Sequence, residues 1–300
     1  MEFNKNWQTW CSGRFQFSLP PQARLSGESN THYFLEVKSE QSSMEAYKAT
    51  LQKKESELSA KRHKFDPSLL RKAVDAGENA RILTFWETPA VTVLAEIEAQ
   101  RYLAGRKYVI STEFGPAKED SAIQRLRSRL MSLQPRGEHE IPAGPGFCIN
   151  RGFFPDEGKT RAKEEVSIYF RFQGHPDISL SITTLIEGSG KKLLDRVGGA
   201  LGKLGAMASQ VQTLRSGERP LGPLEGQELL VKVPTDGGNT GHSFVWESQG
   251  NGHSDDPFIS IKFDTALKAG SVDGRPSSLS DEQALALWEA ILNGFKLRPN

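Results

Sequence analysis

Twice along this chain a cysteine opens a short apolar run in which Gly and Arg precede a Phe. The first is "CSGRFQFSLP", starting at Cys11, and the second is "GFCINRGFF", around Cys148. Between them lies "QPRGEHEIPAGPG", residues 134–146, whose prolines and glycines cannot continue a helix and mark a linker. A chain that starts again halfway along is constrained to fold as two domains. A repeat of this length means duplicated domains rather than a solenoid. Three hundred residues suit two domains, each large enough to bury a core. The expected boundaries are 1–137 and 138–300.

The pattern of apolar residues supports the same division. In the first half "GRFQFSLP" and "THYFLEVKSE" read as strands. "SMEAYKATLQKKESELSAKRHK" then takes helical spacing, with Met44, Tyr47, Leu51 and Leu58 on one stripe. Three β-rich runs follow ("ARILTFWET", "VTVLAEIEAQRYL", "RKYVISTEF"), then a helix, "SAIQRLRSRLMSL", with Ser121 and Gln124 spaced as a capping box. The second half repeats the order. "GFCINRGFF" reads as a short strand, and "EVSIYFRFQ" and "DISLSITTLIE" as a hairpin joined by "GHP". A helical segment spans 191–214 and is followed by the strands "GQELLVKVP", "HSFVWES" and "FISIKFDTA". The closing helix, "SDEQALALWEAILNGF", is capped by Ser280 and Gln283. Each half thus reads ββαβββα, with one further strand in the second. The expected class is α+β: two similar domains, each a largely antiparallel sheet with helices packed on it.

Several function classes are excluded by composition. The formal net charge is +1, so no global field recruits nucleic acid or a membrane surface. The densest basic run, "KRHK" at 61–64, carries no aromatic platform for bases and reads as a solvated helix end. No apolar run approaches the ~20 residues of a membrane span, and no secretory leader is visible. Two cysteines permit at most one intrachain disulfide, and the sequence leaves their pairing open. The six histidines show no metal-ligand spacing, so no metal and no cofactor is expected.

Catalytic motifs are likewise incomplete. "GHSFV" at 241–245 begins like a nucleophile elbow, but it lacks the final glycine and sits in a strand. "EGSGKKLLDRVGG" lacks the spacing of a phosphate loop, since position 185 is Leu and position 192 is Lys. The carboxylate pairs Glu119–Asp120, Glu164–Glu165 and Asp255–Asp256 are adjacent in sequence, so on a strand they would point to opposite faces. No catalytic residue is expected. What remains is a recognition surface. The richest stretch is "PTDGGNTGHSFVWESQGNGHSDDP", residues 234–257, with Asp236, Asn239, His242, Trp246, His253, Asp255 and Asp256 as partner-binding candidates.

The segment "CSGRFQFSLPPQA" resembles the N-terminal domain of the immunity proteins that protect bacteria against type VI secretion lipase effectors. "IPAGPGFCINRGFF", "EEVSIYFRFQGHPDISLSITT", "LRSGERPLGPLEGQELLVKV" and "GHSFVWES" resemble the C-terminal domain of that family. These are fold markers rather than chemical motifs. The resemblance implies a non-enzymatic inhibitor that binds a cognate phospholipase, an α/β-hydrolase with a lid, in a 1:1 complex. Two domains on a short linker would act as a clamp that blocks lid opening. The family implies a periplasmic location. It fixes no contact residues, so the seven candidates rest on loop composition. Two other readings compete: a periplasmic small-ligand or cell-wall binding module, and a hydrolase using Ser243 and Asp255.

Overall fold

The computed structural model describes residues 6–188, 190–201, 211–235, 238–266 and 276–298. They form two compact units, neither of them continuous in sequence. Unit 1 holds residues 1–29, 138–145 and 157–300, and unit 2 holds 30–137 and 146–156. The chain enters unit 1 with the antiparallel hairpin β1 (Gln8–Ser12) and β2 (Phe15–Leu19), followed by β3 (Ala23–His32). Gly13 takes the left-handed conformation in the hairpin turn, at φ 55°. The last three residues of β3 already belong to unit 2.

Unit 2 continues with β4 (Leu35–Gln41), α1 (Met44–Ala60), β5 (Leu70–Gly77), β6 (Ala80–Phe85), β7 (Ala95–Leu103) and β8 (Arg106–Phe114). Next come α2 (Glu119–Ser132) and the two-residue β9 (Gln134–Pro135). The sheet order is β4-β8-β7-β6-β5, antiparallel throughout, with the end of β3 alongside β4. Strand alternation sends Val37, Ile82, Ile97, Ala99 and Ile110 into the core. Helix α2 buries Ala122, Ile123, Leu126 and Leu130 at helical spacing. Helix α1 differs: of its expected stripe only Tyr47 is buried. Ion pairs to the sheet hold the rest, Lys54 to Glu98 and Arg81 to Glu55. Unit 2 is completed by the hairpin β10 (Gly146–Ile149) and β11 (Gly152–Pro155), with β9 pairing along β11. Arg136 fastens it, donating to the carbonyls of Ile149 (2.9 Å) and Gly152 (3.1 Å).

The rest of the chain returns to unit 1. It runs through β12 (Glu164–Phe172), β13 (His175–Leu185), α3 (Leu193–Leu201), β14 (Gln212–Glu218) and β15 (Gly226–Pro234). It ends with β16 (Thr240–Ser248), β17 (Phe258–Asp264), α4 (Asp281–Gly294) and β18 (Lys296–Leu297). The sheet order is β14-β15-β16-β17-β13-β12, with the start of β3 beside β12, where Ser26 Oγ donates to the Tyr169 carbonyl at 3.0 Å. Trp246, Trp288, Phe244 and Phe263 form its aromatic core, each essentially inaccessible to solvent. β18 pairs with β2, so the N-terminal hairpin completes this unit. Arg14, the second residue of the hairpin turn, makes a buried bidentate pair with Glu164 at 2.6 and 2.7 Å.

The class is α+β, as expected, but the element order is not ββαβββα. Residues 8–135 and 146–297 both run ββββαββββαβ. "GFCINRGFF" is a complete hairpin rather than one strand, because Arg151 accepts the left-handed turn at φ 60°. β5, a strand the sequence did not lead us to expect, is a half-exposed edge strand whose charged residues mask any alternation. Ser121 does not cap α2: the helix starts two residues earlier, and the Ser121 hydroxyl donates to the Lys118 carbonyl. The expected helix over 191–214 ends its described part at Leu201, and a strand occupies 212–218; residues 202–210 lie outside the described residues.

Candidate partner-binding surface

The β16–β17 connection, residues 249–257, is a tightly folded turn within unit 1. Gly250 (φ 71°) and Gly252 (φ 81°) take left-handed conformations. A Cβ on Gly250 would lie 2.3 Å from the Phe258 nitrogen, so only glycine fits. The Asn251 side chain accepts from the His253 amide at 3.1 Å, and the Asn251 amide donates to the Asp256 carbonyl at 2.8 Å. Residues 159–161 brace the turn from outside. Thr160 exchanges hydrogen bonds with Ser254, Arg161 Nε donates to His253 Nε2 at 2.9 Å, and Lys159 pairs with Asp255. The Lys159 ammonium holds the Asp255 carboxyl below the usual carboxylate range. Asp256 is pushed the other way, by burial first and then by the charges of Asp255 and Glu225.

Asp256 opens onto a cleft of about 400 Å³, also lined by Glu218, Glu225, Gln227, Glu247 and Lys192. Arg196 and the Ser260 hydroxyl hold Glu247, and Lys192 stands 3.7 Å from Glu218. The walls are predominantly acidic, which suits a basic side chain. The sequence reading missed Glu218, Glu225 and Glu247. The signal for Glu218 and Glu225 was the polar turn "ERPLGPLEGQE", while Glu247 lies in the strand "TGHSFVWES".

Of the seven candidates, His253, Asp255 and Asp256 come together in this turn. Asn239 lies at the opposite end of β16, and Asp236 is outside the described residues. His242 and Trp246 are core residues, 1% and 0% exposed, and the expectation of a surface role for them is corrected. The reason is strand alternation: His242, Phe244 and Trp246 share the inward face of β16. Trp246 Nε1 donates to the Arg219 carbonyl at 2.8 Å, and a Cβ on Gly226 would fall 2.3 Å from its ring. His242 bonds Thr265 Oγ1 at 3.0 Å and Asp281 Oδ1 at 2.9 Å. The Asp281 carboxyl, bonded also by Lys232, is held low, with the His242 hydrogen bond the larger cause.

The same alternation removes the hydrolase reading. Ser243 donates to Asp264 at 2.7 Å on the outward face, while the neighbouring imidazole of His242 points inward. The partner of the Ser243 hydroxyl is thus a carboxylate, and the serine–imidazole pairing of a nucleophilic site is not formed between these neighbours.

The family markers have structural work instead. In the Arg-Ser-Gly-Glu-Arg segment, Arg215 and Arg219 converge on Glu228 of β15 and Glu289 of α4. Glu228 also accepts from Trp288 Nε1 at 3.2 Å. In the His-Pro-Asp segment, His175 and Asp177 fasten Ser278, just before α4, through its hydroxyl and its amide. Cys11 and Cys148 are both buried and both disulfide-bonded rather than free thiols.

Comparison with known proteins accords with these markers. Residues 8–137 match the family model of the Tle cognate immunity protein 4 N-terminal domain, and residues 140–300 match that of its C-terminal domain. No curated protein sequence matches significantly. Among solved structures, the chain is similar to the apo immunity protein TplEi of the type VI secretion system (T6SS) of Pseudomonas aeruginosa. The TM-score is 0.86 at 25% identity over 100% of both chains. It is also similar to a chain of the crystallised Tle4–Tli4 complex, with TM-score 0.87 at 24% identity over 100% of both. A third relative is TplEi complexed with an "L" peptide: TM-score 0.80, 24% identity, covering 98% of this chain and 99% of that one. Over both of its halves, the chain belongs to the family of Tle cognate immunity protein 4.

Proposed function

We propose that this chain is an immunity protein that binds a cognate type VI secretion phospholipase one to one and keeps it inactive by blocking the opening of its lid. The observation that carries this reading is the family match across both halves, with relatives that are a T6SS immunity protein and a member of a Tle4–Tli4 complex. The protein acts by occupancy and not by turnover. Both domains engage the lipase, and a grip of this kind buries at least the standard ~1,600 Å². His253, Asp255 and Asp256, beside the acidic cleft of unit 1, form one contact surface; Asp236 and Asn239 contribute from the β15–β16 connection.

The halves 1–137 and 138–300 are descendants of one duplicated domain; their shared element order ββββαββββαβ supports this. The protein works in the periplasm. Disulfide-bonded cysteines favour an oxidising compartment, and no helix among the described residues is long and apolar enough to cross a membrane. The small-ligand alternative gains nothing from the cleft, whose walls are charged where a small-molecule pocket is mostly apolar. The test is calorimetric titration of the chain into the purified cognate lipase, with lipid hydrolysis followed in parallel. Binding near 1:1 with loss of hydrolysis is expected, and lack of binding overturns the reading.

A further inference from the structure

The strand registers of unit 2 place four separate segments at one end of its sheet. His32 pairs with Leu35 across the β3–β4 turn, and Glu36 pairs with Ser111. Ala95, at the start of β7, faces Phe114, at the end of β8. Phe85, at the end of β6, faces both Glu96 and Leu70, the first residue of β5. The Tyr33–Phe34 turn, the 61–69 segment and the 86–94 loop therefore emerge together with the end of β8. Six large apolar side chains are exposed among the described residues, and four of them lie here: Phe34 (59%), Phe65 (68%), Val93 (75%) and Leu94 (45%). Apolar exposure concentrated along one end of a sheet is of the kind that marks an interaction site.

Two further observations at this end point the same way. Tyr33 and Phe34 both take left-handed backbone, at φ 51° and 65°. A two-residue hairpin turn of this kind favours Asn-Gly, and two aromatics there are strained. Glu96 and Glu113 are directly cross-strand, a like-charged pairing that weakens a sheet. Burial pushes the Glu96 carboxyl up, and the charges of Glu113 and Glu87 push it further.

The anchors are also held in place. His63 Nε2 is 3.0 Å from the Val91 carbonyl, and the Lys64 amide donates to the Pro89 carbonyl at 2.8 Å, so the two loops are tied together. The His63 ring stacks on Trp86 at 4.9 Å, and Arg71 covers Trp86 at 4.4 Å. Surface anchors fixed before binding lose little entropy when a partner arrives.

We propose that this end of unit 2 is a docking surface for the lipase effector, receiving an apolar segment of that enzyme on Phe34, Phe65, Val93 and Leu94 and an adjacent Lys or Arg on Glu96 and Glu113. A basic group on the partner relieves the carboxylate repulsion that the free protein carries. The assignment rests on the lipase-inhibitor reading above and names where the enzyme is held.

The test compares the full chain with two variants, measuring affinity for the purified lipase and thermal stability. Phe65→Glu with Val93→Glu changes only exposed side chains, and is expected to weaken binding at least about 30-fold with an unchanged melting temperature. Phe34→Gly is expected to raise the melting temperature yet weaken binding at least about tenfold. A merely structural turn would gain stability and bind as before. If the wild-type chain binds and both variants bind within about twofold of it, this surface is wrong while the inhibitor reading stands. If the wild-type chain itself does not bind the lipase, both fall together.

Discussion

Arg219 and Glu289 show what a family marker contributes when it carries no chemistry of its own. Hydrogen bonds from Arg219 first, then Arg215, hold the Glu289 carboxyl at about 2, against an ordinary 4.5. A depressed carboxylate stabilises the fold above its unfolded value and loses that stabilisation as pH falls through its folded value. The contribution is therefore complete above pH 4.5 and gone near pH 2. Glu289 is about a third exposed, so solvent screening limits it to about 1 kcal/mol. Glu289→Gln is expected to cost that much at neutral pH in denaturant unfolding, with the difference vanishing as pH approaches 2. At this scale the sequence was least readable. His242 and Trp246 look like binding residues in a polar stretch, because periodicity alone does not say which face of the alternation in "TGHSFVWES" meets the core. Only the register of β16 against β15 and β17 settles it.

Single elements allow a cleaner contrast. Helices α2 and α4 share an S-x-x-Q pattern near their starts, yet only Ser280 caps: its hydroxyl accepts from the Gln283 amide, and the Gln283 side chain accepts from the Ser280 amide. Ser280→Ala is expected to cost about 1 kcal/mol, whereas Ser121→Ala stays within about 0.5 kcal/mol of wild type, by thermal or denaturant unfolding. Strongly periodic elements were legible in the sequence: β6, β7, β8, β12, β13, β15, β16, β17, α2 and α4 all fall where apolar spacing puts them. β5 was not foreseen, and α1 falls where its spacing puts it but buries less of its stripe than expected, for opposite reasons. The edge strand carries too much charge to show alternation, and the helix carries an apolar stripe of which only Tyr47 is buried. The surface at the end of unit 2 was invisible for another reason. Its anchors lie far apart in sequence, and pairing registers alone bring them together.

For the whole molecule, the two cysteine-bearing hairpins carry the main lesson. Each looks in sequence like the opening strand of its own domain. The hairpin of residues 8–19 instead belongs to unit 1 with α4 and β18, and the hairpin of residues 146–155 belongs to unit 2 with β9. The left-handed turn residue is Gly13 in one and Arg151 in the other. Phe15, Phe17 and Leu19 are 2%, 1% and 0% exposed inside unit 1. Losing three such side chains removes about 6 kcal/mol of burial, on the order of the total stability of a domain. A fragment of residues 138–300 alone is therefore expected to show no cooperative melting transition. A fragment that melted like the intact protein would refute this dependence on the N-terminal hairpin.

The central claim is inhibition by one-to-one occupancy, and it is tested most directly by titrating the purified chain into its cognate type VI secretion lipase while following lipid hydrolysis. Hydrolysis is expected to fall linearly and to end at one equivalent, with no product formed by the chain itself. Undiminished hydrolysis in the presence of excess chain would contradict it.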